Sequence, residues 1–300
     1  MEIAPAKINL YLHVGPRRAD SYHAIESLFV FADDGDKITA SAAPEISLDI
    51  VGPFAGALAG APRQSNLVWR AAAGLKAAAG VDRGAALRLE KRLPVAAGIG
   101  GGSSDAAAAL RALCRLWSVD IGETALKGLA FGLGADVPAC LARRPVFVSG
   151  AGEVMGEGPS LPPLWVCLVN PGAQMATGPI FAAFDRRFPA PPLPRRAPAT
   201  GFRSYGALCD YLRETRNDLE AFACERENSI AMVRGFLAEC PGCLVARMSG
   251  SGATVFGLFA SREAAWRAAR RSTALGWWSM AARVESGGTR VGAGEFETHE

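Results

Sequence analysis

The fold of this chain is decided by the stretch Pro94-Val95-Ala96-Ala97-Gly98-Ile99-Gly100-Gly101-Gly102-Ser103-Ser104. It follows a segment, Ala85 to Arg92, that predicts a strand, and it precedes an Ala- and Leu-rich segment, Asp105 to Trp117, that predicts a helix. Successive backbone N–H groups in a glycine loop, continued into a helix N-terminus, form a cradle for an anion. Glycine lets the backbone come close to ligand oxygens and adopt positive φ angles. The stretch therefore predicts a phosphate-binding loop.

The loop matches neither of the two common nucleotide motifs. It lacks the Gly-Lys-Ser/Thr ending of a P-loop, and its G-x-G-G-G-S spacing misses the third glycine of the dinucleotide fingerprint. A flexible loop in which Ser103 or Ser104 caps the helix is the alternative interpretation. A second glycine run, Ser249-Gly250-Ser251-Gly252, lies between two predicted strands and taken alone could be a hairpin turn. Two such loops together favour a polyphosphate held from two lobes.

Composition limits the class of protein. The 300 residues include 32 Lys and Arg against 29 Asp and Glu, a net charge of +3. This charge is too small for a nucleic-acid coat or a polybasic membrane anchor, so the expected partners are small molecules. The first residues lack the layout of a signal peptide, and no later stretch holds 18 uncharged apolar residues, which predicts a cytoplasmic protein. The seven cysteines are expected to be reduced thiols, including the lone Cys240-Pro-Gly-Cys243.

The rest of the chain predicts alternating strands and helices. A helix from Gln64 to Ala79 is predicted to be capped by Asn66 and stopped by Gly80. The proline-rich segment 188–198 predicts an exposed loop, and the tail 286–300 is expected to fray. The other predicted strands are 7–14, 25–31, 146–155, 165–170, 244–248, 254–259 and 280–284, and the other predicted helices are 121–132, a short turn after 134, 217–239 and 263–271.

Three motifs together resemble those of the GHMP kinase superfamily. They are Pro5-Ala6-Lys7-Ile8-Asn9-Leu10, the glycine loop, and Met248-Ser-Gly-Ser-Gly-Ala-Thr254, and their order and spacing also match. Within that superfamily, Asp20-Ser21-Tyr22-His23 and Gly132-Leu-Gly-Ala-Asp-Val-Pro138 resemble the members that phosphorylate a cytidyl-diphosphate sugar alcohol on the route to isoprenoids. The resemblance spans nearly the whole chain.

The resemblance implies an α+β fold of two lobes. Residues 1–157 would form an ATP-binding lobe like domain 2 of ribosomal protein S5, and residues 158–300 a ferredoxin-like α/β lobe. ATP would bind in the long glycine loop with Mg²⁺, and the acceptor would lie in the cleft between the lobes. The chain would act as a monomer or homodimer.

The same resemblance assigns roles to individual residues. Lys7 and Asp136 would be the catalytic pair. Independently of the resemblance, ATP chemistry needs a hard cation such as Mg²⁺, and Ser104, at the end of the loop, is a candidate ligand for it. The nucleotide would contact residues 94–104 together with Asn66 and Lys91. The acceptor would contact Asn9, Tyr22, His23, Thr177, Phe181, Ser249, Gly250, Ser251 and Gly252.

These residue types suit phosphoryl transfer. A carboxylate such as Asp136 can accept the proton of an attacking hydroxyl, and a fixed ammonium such as Lys7 can stabilise the developing charge. Positioning and charge stabilisation supply most of the catalysis in this reaction, so few groups suffice. Each residue also has a structural interpretation. Lys7 could be solvated at a sheet edge, Asp136 could cap the turn at Val137, and Tyr22 and Phe181 could be core aromatics.

The sequence departs from the superfamily pattern at Ser21, where glycine is usual. If this position needs a positive φ, serine costs on the order of 1 kcal/mol. Ala96 and Ala97 also bring more methyl groups into the loop than a glycine-richer version. The alternative functions are a homoserine or mevalonate kinase, the related diphosphomevalonate decarboxylase, and a sensor that binds ATP and a small ligand without turnover.

Overall fold

The computed structural model describes residues 1–188, 193 and 200–286, which form two sheets with helices packed on their outer faces. The strands are β1 (Glu2–Arg17), β2 (His23–Ala43), β3 (Ser47–Val51), β4 (Gly84–Glu90), β5 (Val146–Gly150), β6 (Val154–Glu157), β7 (Trp165–Asn170), β8 (Cys243–Met248), β9 (Val255–Phe259) and β10 (Trp278–Arg283). The helices are α1 (Leu67–Ala79), α2 (Gly101–Trp117), α3 (Glu123–Leu133), α4 (Val137–Ala142), α5 (Thr177–Arg187), α6 (Tyr205–Arg213), α7 (Glu220–Arg226), α8 (Ser229–Ala238) and α9 (Arg262–Ala274).

The first sheet has the order β3-β4-β2-β5-β6, with β1 also paired to β2. The long hairpin of β1 and β2 is antiparallel, from Glu2 opposite Ile38 to Arg17 opposite His23. Strands β2 and β4 pair antiparallel, and β3 joins β4 in parallel. The glycine loop leaves the far end of β4 and leads into α2, as the strand, loop and helix pattern predicts.

The second sheet has the order β10-β7-β9-β8, and each of its pairs is antiparallel. Helices α5 to α8 connect β7 to β8, and α9 connects β9 to β10. A β-α-β-β-α-β connection with this strand order is the ferredoxin-like arrangement. The predicted two-lobe α+β fold is confirmed. The lobe boundary at 157/158 falls between β6 and β7 and stays a prediction.

Alternation along β2 builds two of the three hydrophobic cores. Phe29 and Phe31 pack with the helices α1 and α2 on one face of the first sheet. Leu28 and Val30 point to the other face, where they meet Val166 and other residues of the second sheet. Successive residues of a strand face opposite sides, so one strand can serve both cores. A third core lies between the second sheet and the helices α5, α7, α8 and α9. The two sheets are therefore stacked, and the glycine loop lies beside the layer between them.

Several local predictions are confirmed. The side chain of Asn66 accepts a hydrogen bond from the N–H of Val68 at the start of α1, and Gly80 ends that helix with a φ of 62°. Other elements were not predicted, namely β3, α5, α6 and the second half of β2. The predicted loop 188–198 lies outside the described residues except for Phe188 and Leu193, and so does the tail from 287 onward. In the part of the chain that the structure describes, no helix is long and apolar enough to cross a membrane.

Candidate active site

A cleft of about 1200 Å³ opens where the glycine loop meets residues of both lobes. It is by far the larger of the two best-formed pockets of the described residues. Its walls come from the glycine loop, the turn between β1 and β2, the segment around 55–67, and the start of helix α5. The predicted site residues that line it are Lys7, Asn9, Tyr22, His23, Asn66, Lys91, Pro94, Val95, Ala96, Ala97, Gly98, Gly100, Gly101, Gly102, Ser103, Asp136, Thr177, Phe181, Gly250 and Ser251.

The glycine loop ends earlier than the sequence predicted, because α2 begins at Gly101 and not at Asp105. Gly100 precedes the helix with a φ of 62°, and Gly98 has a φ of 74°. The last glycines of the loop therefore form the first helical turn, whose N–H groups have no partner within the helix. Ala96, with a φ of 53°, is a non-glycine residue in the left-handed region. This arrangement supplies the anion cradle that the sequence predicts.

The second glycine run fastens the first loop in place. The hydroxyl of Ser249 donates to the carbonyl of Gly98 at 2.9 Å and accepts from the N–H of Asn9 at 3.1 Å. The N–H of Thr254 donates to the carbonyl of Ala97 at 3.2 Å. Ser249 is fully buried, and neither it nor Gly252 lines the cleft, whereas Gly250 and Ser251 do. Half of the run is thus placed to touch a ligand, and half supports the loop.

Lys7 lies directly under the glycine loop. Its N–H donates to the carbonyl of Ile99 at 3.0 Å, and its ammonium lies 3.0 Å from the Asp136 carboxylate. The ammonium also donates to Asn9 Oδ1 at 2.9 Å and sits 4.1 Å from the centre of the Phe29 ring. These contacts fix a buried positive charge at one point beside the cradle. The interpretation of Lys7 as a solvated edge residue is therefore wrong.

Asp136 faces the cleft and does not cap the helix that follows it. It occupies the N-cap position of α4, but its side chain makes no capping hydrogen bond. The carboxylate turns instead to Lys7 and keeps 33% of its side-chain surface exposed. A carboxylate that is both paired and open can receive a proton from a ligand in the cleft. The capping interpretation is therefore wrong.

The predicted acceptor residues gather on one wall. Nδ1 of His23 is 3.0 Å from the carbonyl oxygen of Gly15, and its ring lies 5.1 Å from that of Phe181. The hydroxyl of Thr177 is 3.0 Å from that of Ser251, which joins α5 to the second glycine run. Tyr22 stands at the rim with 66% of its surface exposed. The wall offers flat rings and hydroxyls, which suit a nucleobase and its sugar.

Ser21 adopts a left-handed backbone conformation, for which glycine is better suited than serine. Its φ is 70°, a region that L-residues other than Asn and Asp seldom occupy. The turn is held by the N–H of Tyr22, which donates to Asp20 Oδ1 at 3.1 Å, and by Arg17, which donates to the carbonyl of Ser21. Serine therefore accepts local strain at the base of the Tyr22 turn.

The ammonium group of Lys91 is held by two carboxylates of the protein itself. Its ammonium donates to Asp36 Oδ2 at 2.5 Å and to Asp105 Oδ2 at 2.7 Å, and all three side chains are buried. Burial alone would lower the pKa of Lys91, but Asp105 and Asp36 together raise it. Asn66 lines the cleft while it caps α1. Contacts of these two residues with the nucleotide stay predictions.

Ser104 does not lie where the magnesium hypothesis needs it. The residue is fully buried, does not line the cleft, and donates its hydroxyl to Cys140 Sγ at 3.3 Å. Burial raises the pKa of that thiol to about 12, so it stays protonated. The preceding Ser103 does line the cleft. The hydroxyl available to a cation is therefore that of Ser103, one residue earlier than predicted, because the helix begins sooner.

Sequence reasoning missed two acidic residues beside the site. Asp36 lies in the part of β2 that was not predicted as a strand, and Asp185 lies on the unpredicted helix α5. The first accepts hydrogen bonds from Lys91 and from the N–H groups of Arg92 and Leu93. For Asp185 a signal existed, since residues 177, 181 and 185 recur at helical spacing.

Known proteins share this architecture. Two family models match, the GHMP kinases N terminal domain over residues 66–144 and the GHMP kinases C terminal domain over residues 201–274. The 4-diphosphocytidyl-2-C-methyl-D-erythritol kinase of Cereibacter sphaeroides is 49% identical over 284 residues, which cover 94% of this chain and 98% of the relative.

Solved structures agree with these matches. A crystal structure of 4-(cytidine 5'-diphospho)-2C-methyl-D-erythritol kinase has a TM-score of 0.75 and 34% identity, covering 95% of this chain and 99% of its own. Mevalonate kinase of L. major has a TM-score of 0.69 but 16% identity, covering 96% of each chain. The second likeness concerns the fold alone.

Proposed function

Since this chain belongs to the GHMP kinase family, and within it to the 4-diphosphocytidyl-2-C-methyl-D-erythritol kinases, we propose that it transfers the terminal phosphoryl group of ATP to the 2-hydroxyl of 4-diphosphocytidyl-2-C-methyl-D-erythritol. The reaction belongs to the methylerythritol phosphate route to isoprenoid precursors. The observation that carries the proposal is the pair of Lys7 and Asp136, 3.0 Å apart, placed under a glycine loop in one cleft.

The glycine loop would hold the triphosphate. Backbone N–H groups of Gly101 and Gly102 open helix α2, where the helix dipole also favours negative charge. The phosphates would thus face Lys7, whose side-chain carbons lie against Gly100. A preorganised positive charge at this point stabilises charge that develops on the transferred group.

Asp136 would serve as the base. Its carboxylate accepts the proton of the attacking hydroxyl as the new O–P bond forms and the bond to the ADP oxygen breaks. Lys7 holds that carboxylate in place, while Asn9 holds Lys7. A bound Mg²⁺ would neutralise phosphate charge, and the oxygens of Ser103 and Asp136, which line the cleft, fit such a hard cation.

The acceptor would lie along the wall that contains His23, Thr177 and Phe181. An aromatic ring on this wall can stack on the cytosine, and Tyr22 at the rim can close over its other face. We further propose that the protein works in the cytoplasm, which is consistent with its seven unpaired cysteines.

Acceptor specificity tests the proposal. Purified protein is incubated with ATP, Mg²⁺ and, in parallel, the cytidyl-diphosphate substrate, homoserine and mevalonate, and ADP release is measured. We expect turnover with the first acceptor alone. Turnover with homoserine or mevalonate and none with the cytidyl substrate would overturn the substrate assignment. Binding of ATP with no turnover of any acceptor would favour a sensor.

A further inference from the structure

Helix α5 extends the acceptor wall by one turn beyond the residues predicted from the sequence. Thr177, Phe181 and Asp185 are spaced four residues apart, so they lie on one face of the helix. All three line the cleft. Asp185 contacts His23 on strand β2, and the ring of His23 lies 5.1 Å from that of Phe181. A carboxylate therefore stands at the edge of the proposed base-stacking position.

The partners of His23 fix which atoms carry hydrogen. A carbonyl oxygen can only accept, so Nδ1 of His23, 3.0 Å from the carbonyl oxygen of Gly15, must carry a proton. Nε2 lies 3.1 Å from Asp185 Oδ1, which is within hydrogen-bond distance. Both ring nitrogens of His23 are then in use. This imidazole ring holds the Asp185 carboxyl group in one orientation.

The second oxygen of Asp185 is left as an acceptor. No hydrogen bond or ion pair within the described residues involves Oδ2, and 33% of the side chain is exposed in the cleft. A carboxylate oxygen at the rim of an aromatic wall suits a ligand that offers an N–H group in the plane of its ring. Cytosine offers its exocyclic amino group there, and uracil offers a carbonyl oxygen instead.

We propose that Asp185 determines the base specificity of the acceptor site: its free oxygen accepts from the exocyclic amino group of cytosine and repels the corresponding oxygen of uracil. This inference rests on the proposed function, because it assumes that the base lies against Phe181. A site that hydrogen-bonds one group rejects an analogue that cannot make the bond, since its own polar atom is then left unpaired.

Substitution of Asp185 by alanine tests the proposal. Asp185→Ala removes the oxygen that faces the cleft, so the site no longer offers an acceptor to the amino group of cytosine. The measurement is kcat/KM for cytidyl- and uridyl-diphosphate acceptors of the same alcohol, at saturating ATP. In Asp185→Ala we expect the preference of the native protein for the cytidyl acceptor to fall by about tenfold to a hundredfold. The KM for ATP should not change.

Two further variants separate recognition from structure. In Asp185→Asn the NH₂ group donates to Nε2 of His23, because Nδ1 carries the ring proton, so the amide oxygen faces the cleft and most of the preference should remain. Asp210→Asn removes an exposed helical carboxylate that pairs with Arg213 outside the cleft. It should change kcat/KM for neither the cytidyl nor the uridyl acceptor. Thermal unfolding shows that each variant is folded. An unchanged cytidyl-to-uridyl ratio in Asp185→Ala, with both kcat/KM values reduced in parallel, would overturn the inference and show that Asp185 acts only through its contact with His23.

Binding without turnover keeps the two proposals apart. If the native protein phosphorylates neither acceptor, the proposed function fails. The affinities for CDP and UDP are then measured by calorimetry in the presence of a saturating ATP analogue. They test whether Asp185 selects the base. Tighter binding of CDP that disappears in Asp185→Ala supports the inference. Equal binding of CDP and UDP by the native protein contradicts it.

Discussion

Two buried lysines flank the glycine loop, and only one of them is placed for chemistry. The Lys7 side chain is 5% exposed and pairs with Asp136, which is 33% exposed. The Lys91 side chain is 3% exposed and pairs with Asp36 and Asp105, which are 0% and 4% exposed. Both ammonium groups are held at hydrogen-bond distance from carboxylates. The difference is that a third of the Asp136 side chain is exposed in the cleft, whereas the side chains of Asp36 and Asp105 are almost completely buried.

The difference shows that a lysine beside an aspartate is not in itself a sign of catalysis. One ammonium with one carboxylate forms a neutral pair, and in the Lys7 site that carboxylate can exchange a proton with a ligand. One ammonium with two buried carboxylates leaves an excess negative charge. Burial, helped by Asp36 and opposed by Lys91, raises the pKa of Asp105 to about 7, so this triad retains a proton more readily. The accessibility of the carboxylate, and not its distance to the lysine, separates the two roles.

The largest effect is expected for Asp136→Asn. This change removes the proton acceptor and keeps the shape of the side chain, so kcat should fall by about a hundredfold to ten-thousandfold while ATP binding persists. Steady-state kinetics and calorimetric titration with an ATP analogue measure the two quantities. Unchanged turnover would remove Asp136 from the mechanism, and Asp210→Asn, outside the cleft, serves as the matched control.

The next largest effect is expected on stability, for Lys91→Met. Removal of this ammonium group leaves two buried carboxylates without a positive partner, which should lower the free energy of unfolding by about 3–5 kcal/mol. Lys7→Met should cost less stability, because Asp136 can be rehydrated from the cleft, but it should abolish most of the activity. Urea unfolding followed by circular dichroism ranks the two variants. A greater loss of stability in Lys7→Met than in Lys91→Met would contradict the distinction drawn between the two sites.

The smallest effect is expected on the pH dependence of folding stability, to which Asp105 contributes and which Asp105→Asn should reduce. The pKa of Asp105 is raised in the folded protein above its ordinary value near 3.8, so the folded state binds the extra proton between about pH 4 and pH 7. Stability from this group is thus present at low pH and is lost as the pH rises through that window. Asparagine has no charge to bury, so the advantage of the variant over the native protein should grow from pH 5 to pH 8.

Urea midpoints at several pH values measure this trend. Asp34→Asn is the control, since Asp34 is a partly exposed neighbour that pairs with Arg92. A constant difference between the native protein and Asp105→Asn at every pH would mean that Asp105 carries no raised pKa.

The fold was predictable where local signals agree with the final structure. The helix α1 has both a capping Asn66 and a terminal Gly80, so its ends were found. Strand β2 was not followed beyond Phe31, because Asp33-Asp34-Gly35-Asp36 reads locally as a turn. Pairing with β1 and β4 holds that segment extended, and such pairing between distant segments is not visible in a short window.

The site was predictable where a motif carries it. The glycine loop, Lys7 and Asp136 follow from residue types and order, and the structure brings them together. The Lys91 triad was not predictable, because Asp36 is 55 positions away in sequence and comes close only through the sheet. Ser104 was misplaced because the start of α2 depends on the positive φ of Gly100, which composition alone does not determine.

The contact between Gly98 and Ser249 sets limits on directed evolution of this loop. A methyl group at position 98 would lie 2.3 Å from the carbonyl oxygen of Ser249, at a φ of 74°. At Gly102 the nearest atom would be Leu67 Cδ1 at 3.5 Å, an ordinary contact. A library that seeks a new donor preference should therefore diversify the helical end of the loop, since a side chain at position 98 would collide with the second glycine run.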